Sequence, residues 1–237
     1  MVSAWVCKID ASFNRSKARR ITLMKKLSNC LFVFLLVAVL VFAEMAPSAA
    51  VTVQAATKTI KVEGKYYQSD ARKMKKMVND FRTGDDAWYY AKNGSDEVVY
   101  VEGLGKLKYD YELEKIAMQR AAEIYVSFSH TRPNGKDCFS LFPSGYMGMG
   151  ENIAMGTSRI MSTNDAFILW QETDEPYSGQ GHRRNMLYEG FTCIGIACFE
   201  IDGDKYWVQE FGTPKSSTKK TKACNKKKTV KVEVLSD

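Results

Sequence analysis

FTCIGIACFEIDGDKYWVQEFGT, residues 191–213, reads as a β-hairpin. Phe191 to Ile201 is apolar and β-prone, Asp202-Gly203-Asp204 is a tight-turn signal, and Lys205 to Phe211 returns as a second strand. Upstream of this hairpin the apolar period becomes helical. Met74, Met77, Val78 and Phe81 recur at three-to-four spacing and predict a helix over 71–82. Leu113, Ile116, Ala117, Ala121, Ile124 and Phe128 mark a second helix, capped by Asp110 and ending near Ser129-His130-Thr131. Ser162 with Asp165 three residues on begins a third, with Ala166, Phe167 and Trp170 as its stripe and Pro176 and Gly179 as its stop. The segment 85–105 is loop-rich around Asn93-Gly94. Pro133-Asn134-Gly135 is a turn, and a loop with Pro143, Gly145, Gly148 and Gly150 leads to Glu151. Helices segregated from a late hairpin predict an α+β layered fold in a single domain. That domain spans 72–213, after a linker or leader strand at 56–71 and before a Lys-rich C-terminal tail at 214–237. Thr57–Glu63 and Thr229–Val234 share a Lys-Val pattern too short to count as a repeat.

Residues 1–55 read as a secretory signal. Lys25-Lys26 precedes thirteen uncharged apolar residues, Leu31 to Ala43, which is short of the roughly 20 that span a membrane. Met24 is a natural start, leaving 1–23 as an upstream extension, and Val53-Gln54-Ala55 is the expected cleavage site. The formal charge of +7 divides unevenly. Residues 56–213 hold nineteen bases and twenty-three acids, whereas 214–237 hold eight lysines and two acids. A mildly acidic body argues against a nucleic-acid partner. The basic tail reads as a solvated linker, or as a contact for anionic wall polymer or membrane. Cys7 and Cys30 precede the cleavage site. Cys138, Cys193, Cys198 and Cys224 follow it and allow three disulfide pairings. Cys193 and Cys198 point to opposite faces of one strand, which disfavours a bridge between those two.

The mature segment holds no G-x-S-x-G, H-E-x-x-H or P-loop sequence. Its two histidines, His130 and His182, sit at element ends beside Gly- or Pro-rich loops, and Glu151 follows a run with two glycines. Two imidazoles with carboxylates suit a divalent ion such as Zn²⁺, or a base and acid pair. The bland alternative is two separate surface histidines. Ser129 beside His130 is a helix-end residue rather than an activated nucleophile.

Five ordered motifs, FSHTRPNG (128–135), GENIA (150–154), SGQGHRRNML (178–187), FTCIG (191–195) and YWVQEFG (206–212), resemble the CAP superfamily of its bacterial secreted type. That superfamily takes in cysteine-rich secretory proteins, antigen 5 and pathogenesis-related 1 proteins. The resemblance covers about 72–213. It implies a three-layer α-β-α sandwich with an antiparallel sheet, and a cleft where two histidines and two acidic residues hold a divalent cation. His130, Glu151 and His182 match three of those positions, with Asn152 beside them. Glu172, on the helix carrying Trp170, is chosen for the fourth. Its offset from the Trp departs from the family pattern, and Glu175 is the other candidate. The implied function is an extracellular binding module for a lipid, glycan or cell-wall ligand rather than an enzyme. The alternatives are a metal-assisted hydrolase and surface attachment through the basic tail. His130, Glu151 and His182 are expected to converge on one cleft.

Overall fold

Thr57–Tyr66 (β1) and Lys227–Leu235 (β8), the two Lys-Val segments, lie side by side as antiparallel strands from Thr57↔Leu235 to Lys65↔Lys227. This computed structural model describes residues 56–236, so the signal segment, Met24 and the cleavage site lie outside the described residues. The region read as a Lys-rich tail therefore supplies an edge strand, and the leader segment supplies its neighbour. Val230, Val232 and Val234 alternate with exposed residues, which is the half-buried strand pattern. The lysine content of the segment hid that alternation.

The main sheet runs β5-β7-β6-β1-β8. Its other strands are Tyr146–Thr157 (β5), Cys193–Ile201 (β6) and Asp204–Pro214 (β7), with Lys108–Tyr109 (β4) pairing parallel to β6. A separate ribbon joins Trp88–Tyr90 (β2) to Val98–Tyr100 (β3). The helices are Gln68–Thr83 (α1), Tyr111–Val126 (α2), Thr163–Gln171 (α3) and Gly181–Leu187 (α4). Among the described residues, no helix is long and apolar enough to cross a membrane.

Two cores show how the layers stack. Ile194, Ile196 and Cys198 of β6 pack with Met74 and Val78 of α1, Trp170 of α3 and Met186 of α4. Ala197 and Phe199 of the same strand pack with Ala117, Ala121 and Ile124 of α2. Alternation along β6 thus feeds both faces, and the fold is a three-layer α-β-α sandwich around an antiparallel sheet. Burial on both faces also explains why β6 reads as a continuous apolar run.

Local signals fared unevenly. Asp110 caps α2, accepting from the backbone N–H groups of Glu112 and Leu113, and Ser162 with Asp165 forms a full capping box on α3. However, α2 stops at Val126, and α3 stops at Gln171, where Glu172 turns left-handed at φ 46° well before Pro176. The glycine-containing loop at 145–150 is the start of the twelve-residue strand β5, and α4 went unread because it is only seven residues long. Cys138, Cys193, Cys198 and Cys224 are all free thiols, so none of the three pairings forms. At Gly195 the start of α2 crosses β6 so closely that a Cβ would overlap the backbone of Leu113 and Glu114.

Candidate functional site

Edge strand β5 carries the centre of the site. Alternation puts Glu151 on the α2 face and Asn152 on the face of α1, α3 and α4. On the first face Arg120 of α2 grips Glu151 with two hydrogen bonds, Nε to Oε2 at 2.7 Å and Nη2 to Oε1 at 3.2 Å. Its Nη1 donates to Glu123 at 3.0 Å, and Nη2 also donates to the Ser129 carbonyl at 2.6 Å. Arg132 completes the chain by pairing with Glu123 at 2.8 Å. The Ser129 contact fixes the end of the α2 loop and so places His130. The His130 Nδ1 lies 2.7 Å from Glu151 Oε1, with the imidazole side chain 58% exposed and the carboxylate 1%.

Burial works against ionisation of Glu151, but hydrogen bonds from His130 and Arg120 outweigh it and hold the carboxyl below its ordinary range. An ionised carboxylate only accepts, so Nδ1 of His130 donates to it and Nε2 is the ring nitrogen left for another partner. Directly across the ladder, Glu210 of β7 faces Glu151. It is fully buried, and neither carboxyl oxygen has a hydrogen-bond partner of good geometry. Burial first, and repulsion from Glu151 second, push its pKa well above the ordinary carboxylate range, so of the two facing carboxyls Glu210 is the one that favours its proton.

This protonation has a measurable consequence. In the unfolded chain Glu210 ionises near ~4.3. In the fold its pKa is raised, so stability present below that pH is lost as pH rises toward the folded value. Glu210→Gln cannot ionise, and its amide can donate to Glu151. The variant should match the parent near pH 4 and exceed it at pH 7 in denaturant unfolding with chelator present, the margin growing by up to ~1.4 kcal/mol per pH unit while the folded carboxyl stays protonated and the unfolded one does not. A variant less stable than the parent at pH 7 would show that Glu210 is ionised and paired.

On the opposite face, His182 opens α4, and its Nδ1 makes a short hydrogen bond to Glu172. The other Glu172 oxygen accepts from the backbone N–H groups of His182 at 2.9 Å and Arg183 at 3.2 Å. One carboxylate thus orients the ring and satisfies the start of the helix. The left-handed backbone at Glu172 turns it back toward α4. Glu175 is exposed in the following turn, so Glu172 is the acid that meets His182. Trp170 lies 6.5 Å from the His182 ring, centroid to centroid.

Asn152 and Asn185 join the two halves. Asn152 donates to the His182 carbonyl at 3.1 Å and to Gln209 at 2.9 Å, while Asn185 donates to Asn152 at 2.8 Å and to the Glu151 carbonyl at 3.2 Å. The two His–Glu pairs therefore flank the free edge of β5 and are tied to it through consecutive residues.

The possible ligand atoms of His130, Cys138 and Glu151 lie within 4.8 Å of one another. His182 and Glu172 form the second His–Glu pair beside this group. Cys138 was not among the expected site residues. Arg120 and Glu210 were missed, although a charged residue within the apolar run of β7 is itself a signal. A family model described as CAP, the cysteine-rich secretory protein family, matches residues 75–211. The chain belongs to the CAP family. Its CAP domain is 28% identical over 115 residues to the uncharacterized protein YkwD of Bacillus subtilis, covering 46% of this chain and 40% of the relative. The chain thus spans about two-fifths of that curated relative. Similar solved structures include an outer surface protein from Borrelia burgdorferi, at 17% identity, 64% of this chain, 99% of that one and a TM-score of 0.47. NaASP2 with Zn²⁺ matches at 23% identity, 62% and 80% coverage and a TM-score of 0.46. A cysteine-rich secretory protein from Staphylococcus aureus matches at 16%, 61% and 38%, with a TM-score of 0.40.

A divalent cation suits the donor set of this CAP domain. Imidazole, thiol and carboxylate together favour an ion of the zinc class.

Proposed function

We propose that the protein is an exported binding module that takes an amphiphilic, glycan or cell-wall ligand at the rim around the β5 edge. The carrying observation is the pair of His–Glu couples on either side of that edge, each with a carboxylate behind a more exposed imidazole. Glu151 holds the His130 ring with Nε2 outward, and Glu172 does the same for His182. Phe128, Met147 and Met149 are exposed on the segments that carry His130 and Glu151, so the rim offers apolar as well as polar surface. The apolar run at 31–43 behind Lys25-Lys26 supports export.

His130, Cys138 and Glu151 are the residues that would hold a zinc-class ion. Bound there, such an ion supplies an electrophilic point for a polar or anionic head group. Neither side-chain nucleophile beside the pair, Ser129 or Cys138, is activated. The Ser129 hydroxyl accepts from the Thr131 backbone N–H and is not paired with His130. Burial, together with Glu151 and Glu210, pushes the Cys138 thiol far up, the reverse of activation.

Zinc titration by calorimetry should show a single site. Its affinity should fall at least tenfold in His130→Ala and in Cys138→Ser, and less in His182→Ala. The zinc-loaded protein should also retain a lipid or glycan from a mixed extract without turning it over. Equal zinc affinity in all three variants would remove the ion from this reading. Chelator-sensitive cleavage of peptide or ester substrates, lost in His130→Ala, would replace binding by metal-assisted hydrolysis.

A further inference from the structure

From 214 to 232 the chain has eight lysines and no acidic residue, and every one of those lysines is exposed. The connector leading into β8 is nevertheless held along its length. The Thr218 hydroxyl accepts from the Tyr111 backbone N–H at 2.7 Å, and the Thr221 carbonyl accepts from Arg72 at 3.0 Å. The Cys224 carbonyl accepts from the Gln68 backbone N–H at 3.1 Å, and Asn225 accepts from that of Ser69 at 2.9 Å. Thr218, Thr221 and Cys224, three residues apart, are half-buried, and the lysines between them point outward. A solvated linker would have no such anchors.

The strand that follows adds a second, independent observation. Lys61 of β1 stands directly opposite Lys231 of β8, and Lys65 stands directly opposite Lys227. All four have the same parity and share one sheet face. Like charges in directly opposed positions destabilise a ladder. Among the described residues none of the four makes an ion pair, in contrast to Lys73, Lys76 and Lys115, which meet Asp70, Asp80 and Glu112 at 2.5–2.7 Å. Glu63 lies between the two pairs but bonds to none of them, and Glu233 accepts from Asn134 at 2.9 Å. Lys65 and Lys205 both sit over the Tyr67 ring, at 4.4 and 5.4 Å, which extends the basic surface toward the head of α1.

We propose that this strip binds a linear polyanion, a polyol chain with repeated phosphodiester groups. The two lysine pairs stand about 13 Å apart along the strands, at ~3.3 Å per residue, and so meet separate repeats of an extended chain. The strip carries no exposed aromatic side chain on which bases stack, which sets aside a single-stranded nucleic acid. Leu235, at its far end, is its one large exposed apolar side chain, so it has little to insert into a bilayer. This inference does not depend on the His–Glu rim.

The test is binding of the purified protein to a fluorescent poly(glycerol phosphate) at 50 and 200 mM salt. Lys61→Gln/Lys65→Gln/Lys227→Gln/Lys231→Gln should weaken binding at least tenfold and lower the log–log salt slope by about 3, at ~0.7 per lost contact. Its melting temperature should be equal or higher, because the opposed charges are gone; a lower one would place these lysines in the fold rather than the site. Lys73→Gln/Lys76→Gln/Lys115→Gln, which removes paired lysines, should change affinity less than twofold. No binding by the parent, or an equal loss in both variants, overturns the proposal. Tighter binding to anionic phospholipid vesicles or to oligo(dT) than to the polymer also overturns it, in favour of a membrane or a nucleic acid.

Discussion

Arg120→Ala should destabilise the protein by about 3–5 kcal/mol, the cost of breaking a buried ion pair by removing one partner. Arg120 is fully buried, and its guanidinium serves Glu151, Glu123 and the Ser129 carbonyl together. Glu123 would keep Arg132, but Glu151 would keep only His130, beside the buried Glu210 carboxyl. Thermal unfolding should drop by roughly 10 °C, at ~2–4 °C per kcal/mol for a domain of this size. The variant should also take up a proton that the parent does not, as Glu151 loses the charge that held it ionised. Arg120→Lys keeps the charge but not the two-pronged grip, so it should fall between the two. A loss under about 1 kcal/mol in Arg120→Ala would mean that the network relaxes and that Arg120 does not set the site.

Gly195→Ala should cost about 3 kcal/mol or more, the upper end for overpacking. The added methyl meets the backbone of Leu113 and Glu114, which has no rotamer to yield, so α2 must lift from β6. That helix carries Arg120 and leads to His130. Zinc affinity should therefore fall with stability, although Gly195 touches no candidate ligand. Gly203→Ala is a useful contrast. It meets nothing within 4 Å and is strained only by its φ of 85°, so it should cost about 1–2 kcal/mol. Equal stability of Gly195→Ala and the parent would show that α2 does not sit as close to the sheet as described.

Capping chemistry was legible because it is local. Asp110, the Ser162–Asp165 box and the Asp202-Gly203 turn each announce themselves within four residues. The strands β5 and β8 were not, for opposite reasons. Glycines and methionines in β5 look like loop and core filler, and lysines in β8 mask its valine alternation. The resemblance led to His130, Glu151 and His182, and the structure adds that Glu172 rather than Glu175 meets His182. Cys138 and Glu210 join Glu151 through register and a turn, which no spacing along the chain reveals.

The pairing of β1 with β8 sets a timetable for folding. β1 touches β6 at only two register positions, Lys65↔Glu200 and Tyr66↔Phe199, and otherwise pairs with β8, the strand farthest from it along the described residues. Contacts so distant in sequence form slowly, since the loop must close before they return any stabilisation. During synthesis β1 therefore waits without its main neighbour until β8 emerges. A chain interrupted before Lys227 keeps that edge open, whatever the state of the β6–β7 hairpin.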